Sequence, residues 1–301
     1  MPKVSVIMAT YNRAHTIKRA IQSVLLQTMT DWELIIIDDG SIDETRLVLN
    51  TIKDPRIKIL YHNPNRGVAY SRNRGLDEMT GEWFTLLDSD DELVPSALEE
   101  LLYVPENIDD SINAVTCNCI DSQTGKFTGY GLEGDQWVDF ETLVSKCYGE
   151  HWGITKSSLV GNLRFNEALS RGESILWYKI SKYAKRYYIH KGLRIYHTEG
   201  NDRICKKKPN VELISREYIA LSKEVEYLSI LSKYRKYEFE KIFLRIYVAC
   251  LILGKKEVGI NLLENFKNEL SYITIFYLKI LNIIPKNSLK KMIKMFINLK
   301  Q

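Results

Sequence analysis

The first hundred residues alternate unbroken apolar runs with segments that are apolar at helical spacing, and few folds accommodate that order. Residues 4–9 (VSVIMA) are a compact strand-like run, and over 13–26 Ile17, Ala20, Ile21, Val24 and Leu25 recur on one helix face. The order returns three more times: 33–37 precedes a helical segment at 43–52, 57–61 precedes 67–79, and 83–87 precedes 95–104. Four strand-then-helix units predict a parallel sheet with helices on both faces, and strands that do not alternate apolar with polar agree with burial on both sides. In such sheets ligands sit beyond the carboxyl ends of the strands. The candidates for chemistry are therefore Thr10-Tyr11-Asn12-Arg13, Asp38-Asp39-Gly40-Ser41, residues 63–67 and Asp88-Ser89-Asp90-Asp91.

The fourth strand end is the most informative. Phe84-Thr85-Leu86-Leu87 runs straight into Asp88, Asp90, Asp91 and Glu92. In an extended segment Asp88 and Asp90 point the same way, about 6 to 7 Å apart at the backbone. That pair suits one hard divalent cation with positions left for water or phosphate oxygens. An acidic N-terminal cap for the helix near Pro95 is the competing explanation, but a cap needs one acid. The first strand is followed by Ala9-Thr10-Tyr11-Asn12-Arg13 instead of a glycine-rich loop, and the chain has no G-x-x-x-x-G-K-S/T. A nucleotide bound here would be held by side chains and metal.

In order along the chain stand VSVIMATYNR, IIIDDGS, NRGVAYSRNRG and GEWFTLLDSDD. Together they resemble the donor half of a family 2 glycosyltransferase of GT-A fold, strongly over about residues 3–104 and weakly over 150–205. The resemblance implies a nucleotide-diphosphate sugar donor, most simply a UDP-sugar, and an inverting transfer to a hydroxyl of a glycan, glycoprotein or lipid-linked acceptor. It implies that Thr10, Tyr11, Asn12 and Asp39 hold base and ribose, that Arg72 lies near the nucleotide, that Asp88 reaches the ribose or the metal, and that Asp90 carries Mg²⁺ or Mn²⁺, with His197 approaching the metal or the diphosphate. It places the acceptor near Trp137, His151 and Trp152. Arg203 and Lys206 to Lys208 follow His197 closely in the sequence and suit either a loop closing over the diphosphate or an exposed linker.

One departure concerns the catalytic base. Relatives carry Glu-Asp where this chain reads Glu173-Ser174, and a serine takes up no proton near neutral pH. Glu173 is the replacement expected here, with Glu167 and Asp135 behind it. A sugar nucleotidyltransferase and a catalytically impaired sugar-nucleotide binding protein are the rival functions.

Charge divides the chain. Residues 201–301 hold 20 Lys and Arg against 10 Asp and Glu, and residues 1–200 hold 22 against 28. We expect a GT-A domain over 1–205, with a nucleotide-sugar half at 1–104 and an acceptor half at 105–205, followed by a helical region at 206–301. Within 112–140, Gly125, Gly129, Gly131 and Gly134 among aromatics suggest hairpins or a mobile loop. Residues 271–301 contain six lysines and no acid, and Leu289, Met292, Ile293 and Phe296 share a helix face. Such a basic amphipathic helix suits packing within the domain, a homo-oligomer, or peripheral contact with an anionic membrane. No nucleic-acid partner is expected. Five cysteines without a C-x-x-C pair, a start that runs directly into a strand, and no apolar run long enough to span a bilayer give a cytoplasmic expectation.

Overall fold

The structure, a computed structural model, describes residues 1–198 and 210–291. Its chain divides into two compact units, Met1–Glu199 and Gly200–Gln301.

In the first unit, β1 (Val4–Thr10), β2 (Trp32–Asp38), β3 (Ile57–Tyr61) and β4 (Trp83–Leu86) lie parallel in the order β3-β2-β1-β4. They are linked by α1 (Ile17–Leu25), α2 (Thr45–Asn50) and α3 (Val68–Glu78). The apolar runs are continuous because two cores share them. Val4, Val6 and Met8 of β1 join Leu34 and Ile36 of β2 under Ile17, Ala20, Ile21 and Val24 of α1. Ile7, Ile35 and Ile37 face the other way, against Ala69 and Leu76 of α3. The close approach of α3 to β1 explains one glycine: a Cβ on Gly75 would stand 2.2 Å from Cγ2 of Ile7.

Beyond β4 the sheet is mixed. β5 (Glu92–Leu93) and α4 (Ala97–Asn107) lead into β6 (Ala114–Asp121). Then come β7 (Gly129–Tyr130), β8 (Gln136–Val138), α5 (Phe140–Lys146), β9 (Tyr148–Gly149), β10 (His151–Lys156), α6 (Glu173–Ser181) and β11 (Arg186–Tyr196). The order β4-β10-β6-β11-β5 puts β10 antiparallel to β4 and β6, while β11 runs parallel to β6 and antiparallel to β5. The expectation of hairpins or a mobile loop over 112–140 is corrected at its start, because β6 is a buried central strand. Its polar Asn118 is satisfied inside the fold, donating to Tyr188 Oη at 2.5 Å and accepting from the Gly129 amide at 3.0 Å. The glycines that follow do build a small β7–β9 pair. Gly129 to Gly134 spell G-x-G-x-x-G, but the next helix starts at Phe140, so the string aims no helix N-terminus at a phosphate.

The second unit is helical: α7 (Val211–Leu221), α8 (Val225–Tyr234), α9 (Lys236–Leu253), α10 (Lys256–Phe266) and α11 (Tyr272–Leu281). Phe239 and Phe243 of α9 are fully buried and meet Phe266 of α10. The helix ends at Gly254, whose φ of +70° supplies the left-handed stop. Among the described residues no helix is long and apolar enough to cross a membrane. The amphipathic face expected around Leu289 lies, from Met292 onward, outside the described residues, as do Arg203 and Lys206 to Lys208.

Candidate functional site

At the strand ends the loops are laced together. The Asn12 amide donates to Ser41 Oγ at 2.9 Å, and Asn12 Oδ1 accepts from the Ile42 amide at 2.9 Å. Asn12 takes the left-handed conformation, φ +53°, which asparagine tolerates better than most residues. Asp38 is buried against Arg46 at 2.7 Å and supports the turn. Asp39 accepts from the backbone amides of Arg66 at 3.0 Å and Gly67 at 2.7 Å, and its Oδ1 lies 3.0 Å from His62 Nδ1. Its carboxylate thus fixes the loop that opens α3, a positioning role that the sequence does not announce. Thr10, by contrast, is buried at the end of β1 with no hydrogen-bond partner for its hydroxyl among the described residues. A buried hydroxyl without a partner is costly.

The acidic cluster is real. Carboxylate oxygens of Asp88, Asp90 and Asp91 lie within 4.8 Å of one another. Capping does not explain them, because β5 intervenes and α4 starts only at Ala97, with Ser96 at its N-cap. Three like charges at that separation need compensation. Arginines provide part of it. Arg72 reaches Asp88 Oδ1 at 2.8 Å and also pairs with Glu173. Arg194 reaches Asp88 Oδ2 at 2.7 Å and, through Nε, Asp91 Oδ2 at 2.8 Å. Arg13 lies 3.8 Å from Asp90, and Arg19 donates to the Asp90 carbonyl at 2.6 Å.

The three acids are not equivalent. Burial pushes Asp88 up, but the Arg194 and Arg72 charges outweigh it and hold the carboxyl at about 2. Asp90 is pushed above the usual carboxylate range by burial and by the neighbouring Asp88 charge, with only partial relief from Arg13. Asp91 is raised by burial against the pull of Arg194, and its Oδ1 accepts the His197 amide at 2.9 Å. Asp90 is therefore the least compensated of the three. Hard oxygen donors with a residual negative charge fit Mg²⁺ or Mn²⁺, and Asp90 with Asp88 would hold it. The His197 ring contacts Glu92 at 2.7 Å and is not one of the three-acid group.

A cleft of about 340 Å³ adjoins these acids, with Arg72, Asp88, Glu150, Trp152 and Glu173 in its wall. Glu173 begins α6, and its carboxylate pairs with Arg72. Ser174 lines the cleft beside it. Of the reserve bases, Glu167 accepts from Asn73 at 3.0 Å and Asp135 from the His190 amide at 2.7 Å, and neither lines the cleft. Glu150 does line it, is raised above the usual range chiefly by burial, and lies 3.8 Å from Arg194. Nothing in its local sequence marks it. Trp152 and His151 line the cleft, whereas Trp137 pairs with Tyr187 and is half exposed elsewhere.

Residues 5–158 match the sequence profile described as Glycosyl transferase family 2. A Campylobacter jejuni protein, GalNAc(5)-diNAcBac-PP-undecaprenol beta-1,3-glucosyltransferase, is 34% identical over 98% of this chain and 97% of its own length. The chain belongs to glycosyl transferase family 2. It is a glycosyltransferase, and its mixed sheet is that of the GT-A fold. The Escherichia coli WfgD, a UDP-Glc:alpha-D-GlcNAc-diphosphoundecaprenol beta-1,3-glucosyltransferase, is 44% identical over 32% of this chain and 38% of its own. Staphylococcus aureus TarS 1-349 in complex with UDP-GlcNAc superposes with a TM-score of 0.72 over 97% of this glycosyltransferase and 92% of that chain, at 16% identity, a likeness of fold alone.

Proposed function

We propose that this glycosyltransferase moves a sugar from a UDP-sugar, with UDP-glucose the first to test, to a hydroxyl of a lipid-linked glycan, in a metal-dependent and inverting reaction. The observation that carries the reading is the under-compensated Asp90 beside Asp88 at the rim of the sheet. The names of the Campylobacter and Escherichia relatives support the lipid-linked acceptor and the glucosyl donor.

Thr10, Tyr11 and Asn12 would face the base and ribose, with the Asp39-braced loop closing that side. When bound, the divalent cation supplies Lewis-acid stabilisation of the charge on the departing diphosphate. Arg13 lies beside Asp90 and would add positive charge for the same phosphates. From the cleft, the acceptor oxygen attacks the anomeric carbon while the bond from that carbon to the phosphate oxygen breaks. The acceptor proton passes to a carboxylate. Glu173 is the base we propose, with Arg72 holding it over the cleft beside Asp88. Glu150 is a second candidate, favoured by a burial-raised affinity for protons.

Peripheral contact with the cytoplasmic face of a membrane would bring the enzyme to such an acceptor. Tyr272, Ile273, Phe276 and Tyr277 of α11 are all more than half exposed, in a stretch otherwise rich in lysine. Aromatic groups beside lysines suit an anionic interface. The deciding experiment incubates the full chain with Mn²⁺ and a panel of UDP-, GDP- and dTDP-sugars plus undecaprenyl-diphosphate-linked acceptors, following nucleoside diphosphate release. Turnover with a UDP-sugar alone supports the reading. Pyrophosphate release, or donor binding without any turnover, overturns it.

A further inference from the structure

Away from the three aspartates, Arg186 also lines the cleft. It opens β11, its backbone paired with Ala114 of β6 and Val138 of β8, and its side chain is buried. Nη1 donates to Thr116 Oγ1 at 2.6 Å and Nη2 to Ser181 Oγ at 3.0 Å. Both acceptors are neutral hydroxyls. Among the described residues no carboxylate pairs with Arg186, whereas Arg72 and Arg194, the other buried arginines of the cleft, each hold two or more acids. Burial draws the Arg186 guanidinium down to about 10, with only the Cys147 thiol as an acidic group acting the other way, so it stays charged at neutral pH. His151, in the same wall, is drawn down to about 4 by burial and is neutral there. It competes for no anion.

A buried charge without a partner costs several kcal/mol in a folded protein. A guanidinium has five N–H donors, and hydroxyls take two here. We propose that this part of the cleft is a subsite for an oxyanion, a carboxylate or phosphate group borne by the acceptor, which Arg186 binds through its fork of donors. That the anion belongs to the acceptor rests on the transfer reaction proposed above; the existence of the subsite does not. Planar two-point recognition of this kind is what arginine does and lysine does not.

Trp152 and Trp177 line the same cleft, so their fluorescence reports on it. The full chain is titrated with sodium acetate and, separately, with inorganic phosphate, at constant ionic strength in chloride, with and without saturating UDP and Mg²⁺. The expected result is a saturable change with at least one of the two anions that persists with UDP present, with the affinity falling at least about tenfold in R186M. A response to acetate alone assigns a carboxylate, and one to phosphate alone a phosphate. R186K, which keeps the charge, is expected to melt like the wild type and to bind at least about threefold more weakly, since it loses the fork. No saturable response to either anion, or wild-type affinity in R186M, overturns the subsite. If R186M does not fold, wild-type affinity in R186K overturns it. Anion binding that survives while every sugar donor fails would refute the proposed transfer reaction and leave the subsite standing.

Discussion

Replacing Arg194 with Met is the sharpest test of how the acid cluster is held. The Arg194 side chain is 6% exposed and is the main countercharge of Asp91, whose own side chain is 1% exposed. Breaking a buried pair from one side costs about 3 to 5 kcal/mol. The lower end applies, because Asp88 keeps Arg72 as a countercharge. A loss of about 3 kcal/mol in the unit Met1–Glu199 lowers its Tm by about 6 to 12 °C. The pH sign follows from Asp91. Burial already raises its folded pKa, and without Arg194 it rises further, so the folded state binds the proton more readily than the unfolded one. The destabilisation is therefore full at pH 8 and shrinks as pH falls through that raised value. Mn²⁺ substitutes for the lost charge: at about a hundred times its Kd it restores about 2.7 kcal/mol if it binds only the folded state. Scanning calorimetry at pH 5 and pH 8, with and without Mn²⁺, measures all of this. A wild-type Tm, or a loss that neither acid nor Mn²⁺ relieves, refutes the account of the cluster as one charge-compensated site.

D90A should abolish Mn²⁺-dependent UDP binding in calorimetric titration while leaving the far-UV circular dichroism unchanged; retained metal dependence would remove Asp90 from the ion's coordination. E173Q should lower turnover at least about a hundredfold, the usual scale for a positioned base, and wild-type turnover would exclude that role. A base must be deprotonated to act, so activity falls with pH through its pKa. If Glu150 is the base, the acid limb of kcat/KM lies above the ordinary glutamate range and E150Q lowers turnover at least about a hundredfold, whereas wild-type turnover in E150Q excludes it. G75A should destabilise by about 1 to 2 kcal/mol in urea unfolding, because the crowding at Ile7 exceeds the roughly 1 kcal/mol that alanine gains in a helix. A more stable G75A would show that α3 can lift from β1 without loss. Serine in place of Phe276 and Tyr277 should weaken sedimentation with anionic vesicles without changing donor turnover; undiminished sedimentation would free α11 of that role.

The parallel half of the sheet was legible because periodicity and burial are local consequences of sequence. Ile7 and Met8 must point to opposite faces of β1, and both are apolar, so two cores had to exist. Asp88 and Asp90 were legible for the same reason, since two residues in an extended strand end share a direction whatever surrounds them. The polar and cysteine positions of β6 hid that strand, because Asn118 becomes tolerable in a core through the Gly129 amide and through Tyr188, the latter seventy residues away. The countercharges were hidden in the same way. Arg194 meets Asp91 across 103 residues, and Arg72 meets Glu173 across 101. Chain neighbours fix where a residue can point, so the parallel half of the sheet, its ligand edge and the acids upon it follow from local sequence. Which buried charges are matched, and that Arg186 is not, depends on distances between segments far apart along the chain, and those exist only once the tertiary structure has closed.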